Sequence, residues 1–334
     1  MRISVIGAGV AGLTVAYEFV RAGCEVVVTE RRGASGRGCS FYAGGMLAPW
    51  CEAENSEPVV VELGLEALAY WRDVVPVAAR RGSLLVAPAR DLPELARFGR
   101  RTSHFETLDA DAIADLEPDL AGRFGRALYF KDEAHLDPRD AVLVLERLLR
   151  DSGLASFRFD TEAVDLEADW TIDCRGFAAR DRLPDLRGVK GEMLILQTRD
   201  ISFSRPVQLL HPRTPVYIVP RAEGRFMVGA TMVENEERGR VTARAMLDLL
   251  GAAYTVHPAF GEAEIIEMGC DLRPAFPDNL PRIRREGRRL FVNGLFRHGF
   301  LLAPALASRA RRMVLDGAHF PEVSDAHQHQ RQSA

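Results

Sequence analysis

The opening stretch, MRISVIGAGVAGLTVAYEFVRAGCEVVVTER, constrains the fold more than any other part of the chain. Ile3 to Ile6 is a short run rich in β-branched residues, as expected of a strand buried in a parallel sheet. Gly7, Gly9 and Gly12 follow in G-x-G-x-x-G spacing and lead into a helix expected to end at Gly23. A second apolar strand, Val26 to Thr29, ends at Glu30. Each glycine has a mechanical reason: Gly7 for a tight turn, Gly9 for backbone approach to a pyrophosphate, Gly12 for close helix–sheet packing. The helix N-terminus offers free N–H groups and the positive end of a dipole to phosphates. Glu30 arrives at a strand tip, where its carboxylate can accept hydrogen bonds from ribose hydroxyls. Strand, glycines, helix and acid together predict a bound dinucleotide. The competing reading is a glycine-rich turn in an ordinary α/β domain.

The rest of the composition mainly excludes. The 334 residues suit one large or two ordinary domains, and 47% hydrophobic with 27% charged residues is the balance of a globular chain. A net charge of −4 gives no reason to expect nucleic acid or an anionic membrane as partner. No run approaches the roughly 18 apolar residues of a membrane span. A strand beginning at residue 3 leaves no room for a signal or transit peptide, so a cytoplasmic location is expected. The five cysteines, Cys24, Cys39, Cys51, Cys174 and Cys270, include no C-x-x-C pair, which argues against a disulfide framework or a metal site. Lysine occurs only at Lys131 and Lys190, so Schiff-base chemistry is poorly supplied, whereas planar guanidinium groups for anion recognition are plentiful.

Along the chain, residues 31–40 form a glycine-rich loop, and Ala43, Gly44 and Gly45 suggest backbone packed against something flat, with Met46 as a soft lining. Helical spacing marks 59–72, 92–101, 109–115, 139–151, 243–254 and 301–315, with Asp137 and Pro138 as N-cap and first residue of the fourth. Strand patterns mark 83–87, 127–130, 171–174, 193–198, 216–220, 225–230, 265–273 and 290–293. Residues 157–170 are ambiguous, 274–281 read as a proline-punctuated loop, and 319–334 as a disordered polar tail. With α/β signals at both ends and strands between, the simplest fold is α/β overall: a discontinuous Rossmann-like domain (1–80, 133–188 and 286–318) with an inserted antiparallel-sheet substrate domain (81–132 and 189–285).

Four stretches, ERRGASGRGCSFYAGGMLAP, VYIVPRAEGRFMVGATM, DLRPAFPDNLP and GLFRHGFLLAP, resemble the glycine oxidases of thiamine biosynthesis, within the D-amino-acid oxidase group of flavoenzymes. The resemblance spans nearly the whole chain in the right order. It implies FAD, a fold like that of p-hydroxybenzoate hydroxylase, and roles for particular residues. Gly7, Gly9 and Gly12 would hold the pyrophosphate and Glu30 the ribose. Arg31 and Ser40 would line the adenosine–phosphate side, Gly45 and Met46 the isoalloxazine ring, and Gly176 the second glycine turn. Arg273 would pair with the substrate carboxylate, with Tyr217 and Arg297 as supporting donors and Met232 bordering a small pocket. The helix opening after Gly299 could stabilise negative charge on the reduced cofactor.

The implied reaction is oxidation of a small amino acid, glycine above others. Hydride passes to flavin N5, an imine forms, and a 2-oxo acid, ammonia and, with oxygen, hydrogen peroxide follow. The imine could instead be handed to thiazole synthesis. A flavin dehydrogenase of small D-amino acids or secondary amines with another electron acceptor stays open, as do a flavin protein without amine chemistry, a nicotinamide enzyme and a homo-oligomeric state. The chain departs from the family pattern at Phe41, Tyr42, Arg284 and Leu295–His298, and in a shortened 154–173 segment. Cys270 lies one position from the cysteine that links flavin in sarcosine oxidases, so non-covalent FAD is expected.

Overall fold

The computed structural model describes residues 1–162, 167–211 and 215–324. The opening unit forms as its pattern requires: strand Arg2–Ile6, helix Val10–Arg21, strand Glu25–Thr29. These two strands pair in parallel, Ile3 opposite Val26 and Ile6 opposite Thr29. They sit inside a six-stranded sheet in the order Arg282–Glu286, Arg289–Asn293, Trp170–Asp173, Arg2–Ile6, Glu25–Thr29, Ala155–Arg158. The first strand is central, with the chain running out to one side and returning on the other. Its C-terminal end is therefore a topological switch point, where α/β sheets of this kind open a crevice.

Packing follows from the apolar faces. Leu13, Phe19, Val15 and Ala16 of the first helix are fully buried, each large side chain contributing about 1.5–3 kcal/mol of transfer free energy. That helix packs against the C-terminal helix Gly299–Leu315, which also packs on Pro58–Ala69. The Pro58–Ala69 helix runs on into a wider π turn, Tyr70–Val74, and this aims the fully buried Trp71 at the C-terminal helix. Its indole N–H donates to Phe300 O at 2.8 Å.

The second layer is an eight-stranded sheet in the order Glu264–Ala275, Arg187–Gln197, Arg225–Gly229, Val216–Pro220, Val207–Leu209, Ser83–Val86, Arg126–Phe130, Glu106–Asp109. Pairing is antiparallel except between Val207–Leu209 and Ser83–Val86. Alternation sorts the side chains. Leu194, Val207, Val216, Ile218, Phe226 and Val228 pack under the helix Ala243–Val256 with Phe203 and Phe260. Met193, Ile195, Val219, Met227 and Tyr217 take the opposite face, against Tyr42 and Met46.

Several segments differ from the sequence reading, each for a physical reason. Arg282–Glu286, read as following a loop, is an edge strand of the six-stranded sheet, paired with Arg289–Asn293 through a turn with Gly287 at φ +59°. Its charged residues suit an edge and hide the pattern. Thus this sheet takes in residues that a division at 286 leaves with the other unit. At the start of the ambiguous 157–170 region, the strand Ala155–Arg158 pairs with Glu25–Thr29, while residues 163–166 of the shortened connection lie outside the described residues. Glu106–Asp109 is mostly exposed and Val207–Leu209 has three residues, so neither shows a readable period. The tail is corrected at its start: residues 319–324 are folded, with Val323 buried in the main core and Phe320 under Arg309 and Arg312. The remaining tail residues lie outside the described residues. Among those described, no helix is long and apolar enough to cross a membrane.

Candidate active site

The C-terminal ends of the parallel strands and the Tyr217 face of the eight-stranded sheet enclose a cavity of about 600 Å³. Every residue given a cofactor or substrate role in the sequence lines it except Gly12. Gly12 works beneath the wall: a Cβ there would lie 1.8 Å from Gly7 O. The cavity has two chemically distinct ends.

At the first end the parts of the fingerprint converge. Gly7 adopts φ +101°, and a Cβ there would meet Cys174 O at 2.7 Å. Ser40 Oγ accepts from Val10 N–H at 3.1 Å, tying the 31–40 loop to the start of the first helix. The buried Glu30 carboxylate accepts from Ala8 N–H at 2.9 Å and Arg32 N–H at 3.0 Å, so it is already oriented at its strand tip. Gly176 turns with φ +60°, its carbonyl held by Asn293 Nδ2 at 2.9 Å. Gly45, at φ +75°, passes so close to Leu136 O that a Cβ would lie 2.2 Å from it. These are the features of a cradle for an extended dinucleotide: close backbone, a helix N-terminus and a carboxylate. The C-terminal helix adds a second N-terminus, at Gly299 on the cavity wall, with no acidic residue in its first turn and no side-chain cap. Its leading N–H groups favour negative charge in front of them.

At the second end Tyr217 is the hub. Its ring packs against Gly44 and Gly229, where a Cβ would come within 2.5 and 3.0 Å of the ring. Burial pushes its phenol above the ordinary value and Arg273 partly opposes this, so the hydroxyl stays protonated and can donate. Arg273 lies beside Tyr217, each influencing the other's ionisation, and donates from Nη1 to Thr231 O at 2.9 Å. Its guanidinium lies flat over Gly191, where a Cβ would be 2.4 Å away. Burial lowers its pKa, yet a guanidinium remains charged. No carboxylate among the described residues pairs with it. Arg297 is placed differently: Nη2 lies 2.5 Å from Glu52 Oε2, and His298 Nε2 lies 2.9 Å from the same oxygen. Met232 is 59% exposed and forms a rim rather than a narrow wall.

Two departures noted in the sequence are resolved by the packing. Phe41 is outside the cavity wall, with the Arg139 guanidinium 3.6 Å above its ring. Tyr42 lines the cavity over Gly269, which has no side chain to obstruct it. Cys270 is not on the cavity wall, and its thiol donates to Gly239 O at 2.6 Å.

Sequence reasoning missed Gly191, Glu52 and a buried group beneath the Tyr217 end. Glu133 is fully buried and accepts from Cys51 N–H at 2.9 Å and from Ser83 Oγ. Burial raises its pKa to about 7 despite those hydrogen bonds. Gln208, directly opposite Tyr217 in the sheet, reaches Cys51 Sγ at 3.0 Å. Nothing in the spacing of these residues signals their meeting. For Gly191, the signal available was a glycine inside a strand, which marks close approach of another group.

A doubly wound sheet with a dinucleotide cradle, joined to a mostly antiparallel sheet that carries a guanidinium with no carboxylate partner among the described residues, is the arrangement of an FAD-binding oxidoreductase. The chain belongs to the family described as FAD dependent oxidoreductase (DAO), whose pattern matches residues 2–313. It is 55% identical over 323 residues to a Rhizobium etli protein named as a proposed thiamine biosynthesis oxidoreductase, ThiO, covering 96% of this chain and 99% of that one. A Bacillus licheniformis protein named glycine oxidase is 28% identical over 365 residues, covering 99% and 97% of the two chains. The solved structure of glycine oxidase from Geobacillus kaustophilus superposes with a TM-score of 0.83 at 22% identity, covering 96% of each chain.

Proposed function

We propose that this protein oxidises a small amino acid, glycine above others, to its imine, which water converts to a 2-oxo acid and ammonia while oxygen becomes hydrogen peroxide. The observation that carries the reading is Arg273: a half-buried, charged fork on the cavity wall, held by Thr231 O beside Tyr217 and lacking a carboxylate partner among the described residues. A ligand that enters the cavity strips this guanidinium of water, which is costly unless the ligand is anionic there, and a substrate carboxylate meets that need with two parallel contacts. Tyr217 donates beside it and fixes the carboxylate's orientation. The Gly299 helix N-terminus supports negative charge at the opposite wall. The glycine cradle of Gly7, Gly9 and Gly12 with Glu30 would hold FAD without a covalent link, and the cofactor would supply the hydride acceptor. No side-chain base is required of the wall, because orientation of Cα and charge stabilisation carry the rate. The name of the Rhizobium relative supports a place in thiamine biosynthesis, with the imine passed on to thiazole formation.

The test is an amino-acid panel on the purified holoenzyme, reading peroxide and oxygen uptake together. Glycine, sarcosine and small D-amino acids are expected to lead. Turnover with an artificial acceptor but no oxygen uptake would make the protein a dehydrogenase. Acid precipitation should leave all the flavin in the supernatant, and flavin retained in the pellet would contradict a non-covalent site.

Gly191→Ala tests the seat of the anchor. The new Cβ must displace the guanidinium, the far end of a flexible side chain, so folding and FAD content should be unchanged. The misplaced fork should raise KM for glycine by about tenfold or more. An unchanged KM would mean that Arg273 does not hold the substrate from this position.

A further inference from the structure

Arg273 and Arg297 both line the cavity beside Tyr217, but Arg297 is already engaged by a carboxylate. Arg297 Nη2 sits on Glu52 Oε2 at 2.5 Å, and His298 Nε2 reaches the same oxygen at 2.9 Å. His298 Nε2 also accepts from Arg297 Nε at 3.2 Å, so the imidazole, the guanidinium and the Glu52 carboxylate form one closed cluster, and His298 Nδ1 is buried with no hydrogen-bond partner among the described residues. Glu52 ends the short helix Pro49–Glu52, which is pinned from below by Cys51 N–H on Glu133. All three residues of the cluster line the cavity. Burial opposes the charged form of Glu52, but Arg297 and His298 outweigh it and hold its pKa at about 2. The carboxylate is thus ionised at any working pH. Glu52 also lies near enough to Tyr217 to oppose ionisation of its phenol.

We propose that Glu52 is a specificity-determining positioning residue: seated on Arg297, it restricts the pocket to substrates with one carboxylate and turns away those with a second anionic group. This rests on the reading of Arg273 as the carboxylate anchor. A substrate with a second carboxylate would have to take the Arg297 fork from Glu52. It would then leave a partly buried carboxylate with His298 alone, beside a like charge. Like charges brought together in a desolvated site cost far more than a lost surface ion pair. A monocarboxylic amino acid uses Arg273 and leaves the Glu52–Arg297 pair intact.

The experiment titrates FAD-loaded protein with acetate and with malonate, following the flavin absorbance, and takes the ratio of the two dissociation constants. Wild type should favour acetate. In Glu52→Gln, which keeps the shape and removes the charge, the ratio should swing towards malonate by about tenfold or more. Glu52→Asp, which keeps the charge, should stay within about threefold of wild type. Adding Arg297→Gln to Glu52→Gln should abolish the swing, because the gain runs through that guanidinium. In turnover, Glu52→Gln should lower KM for D-aspartate while leaving kcat for glycine near wild type, a split that general loosening would not produce. If Glu52→Gln does not retain FAD, Glu52→Ser is read by the same ratio. An unmoved ratio in the charge-neutral variants, a swing that survives loss of Arg297, or no absorbance change with either ligand overturns the proposal. If wild type oxidises no amino acid, the functional reading fails while the acetate–malonate ratio still decides this one.

Discussion

Replacing Arg273 with alanine is expected to lower kcat/KM for glycine on the order of a hundredfold or more while leaving FAD bound. The magnitude follows from the environment: losing one partner of a desolvated charge pair costs about 2–5 kcal/mol. FAD should stay because Arg273 contacts Thr231 O and Tyr217, whereas the glycine cradle is built from the first helix and the parallel strands. Arg273→Lys should recover only part of the loss, because an ammonium restores charge without the two-pronged orientation. A matched amine lacking a carboxylate should be a poor substrate for wild type and lose little more in either variant. Steady-state oxidation of both compounds by the three proteins decides the matter. Equal losses for glycine and the amine would make Arg273 a structural residue.

The second large effect is on stability. Trp71→Ala should destabilise the protein by about 3–5 kcal/mol, the usual cost of removing a fully buried large aromatic. Trp71 has no exposure, packs edge-on to Tyr70 and tilts against Phe300, and its N–H serves Phe300 O. That carbonyl belongs to the first turn of the helix whose N-terminus faces the cavity, so the variant should also hold FAD less tightly. Trp71→Phe should keep much of the packing but leave the carbonyl without its donor, at a cost of about 1–3 kcal/mol. Urea unfolding followed by far-UV circular dichroism and by flavin release measures both. A loss below about 1 kcal/mol in the alanine variant would show that the π turn does not clamp this helix.

The two effects differ in how they could be foreseen. Arg273 was legible because an arginine in DLRPAFPDNLP matches a family motif, and the structure gives it an environment that suits the role. Trp71 was legible only as one apolar position of a helical pattern. Its importance depends on a helix that widens at Tyr70–Val74 and on a carbonyl far along the chain. Periodicity reports which face of an element is buried, not which atom it meets.

By itself the sequence determined the opening βαβ unit, the dinucleotide cradle, the family and the residues that line the cavity. These are local patterns: turn glycines, a capping position and alternation or helical spacing within one element, each set by backbone geometry over a few residues. Tertiary structure alone decided which guanidinium is free. Glu52 and Arg297 are separated by 245 positions, and nothing near either predicts that they pair. Gly191 acquires meaning only when Arg273, on the neighbouring antiparallel strand, is laid across it. The same holds for Arg282–Glu286, Glu106–Asp109 and the folded start of the tail, whose charged or short sequences carry no period and whose conformations are imposed by the partners they pack or pair with.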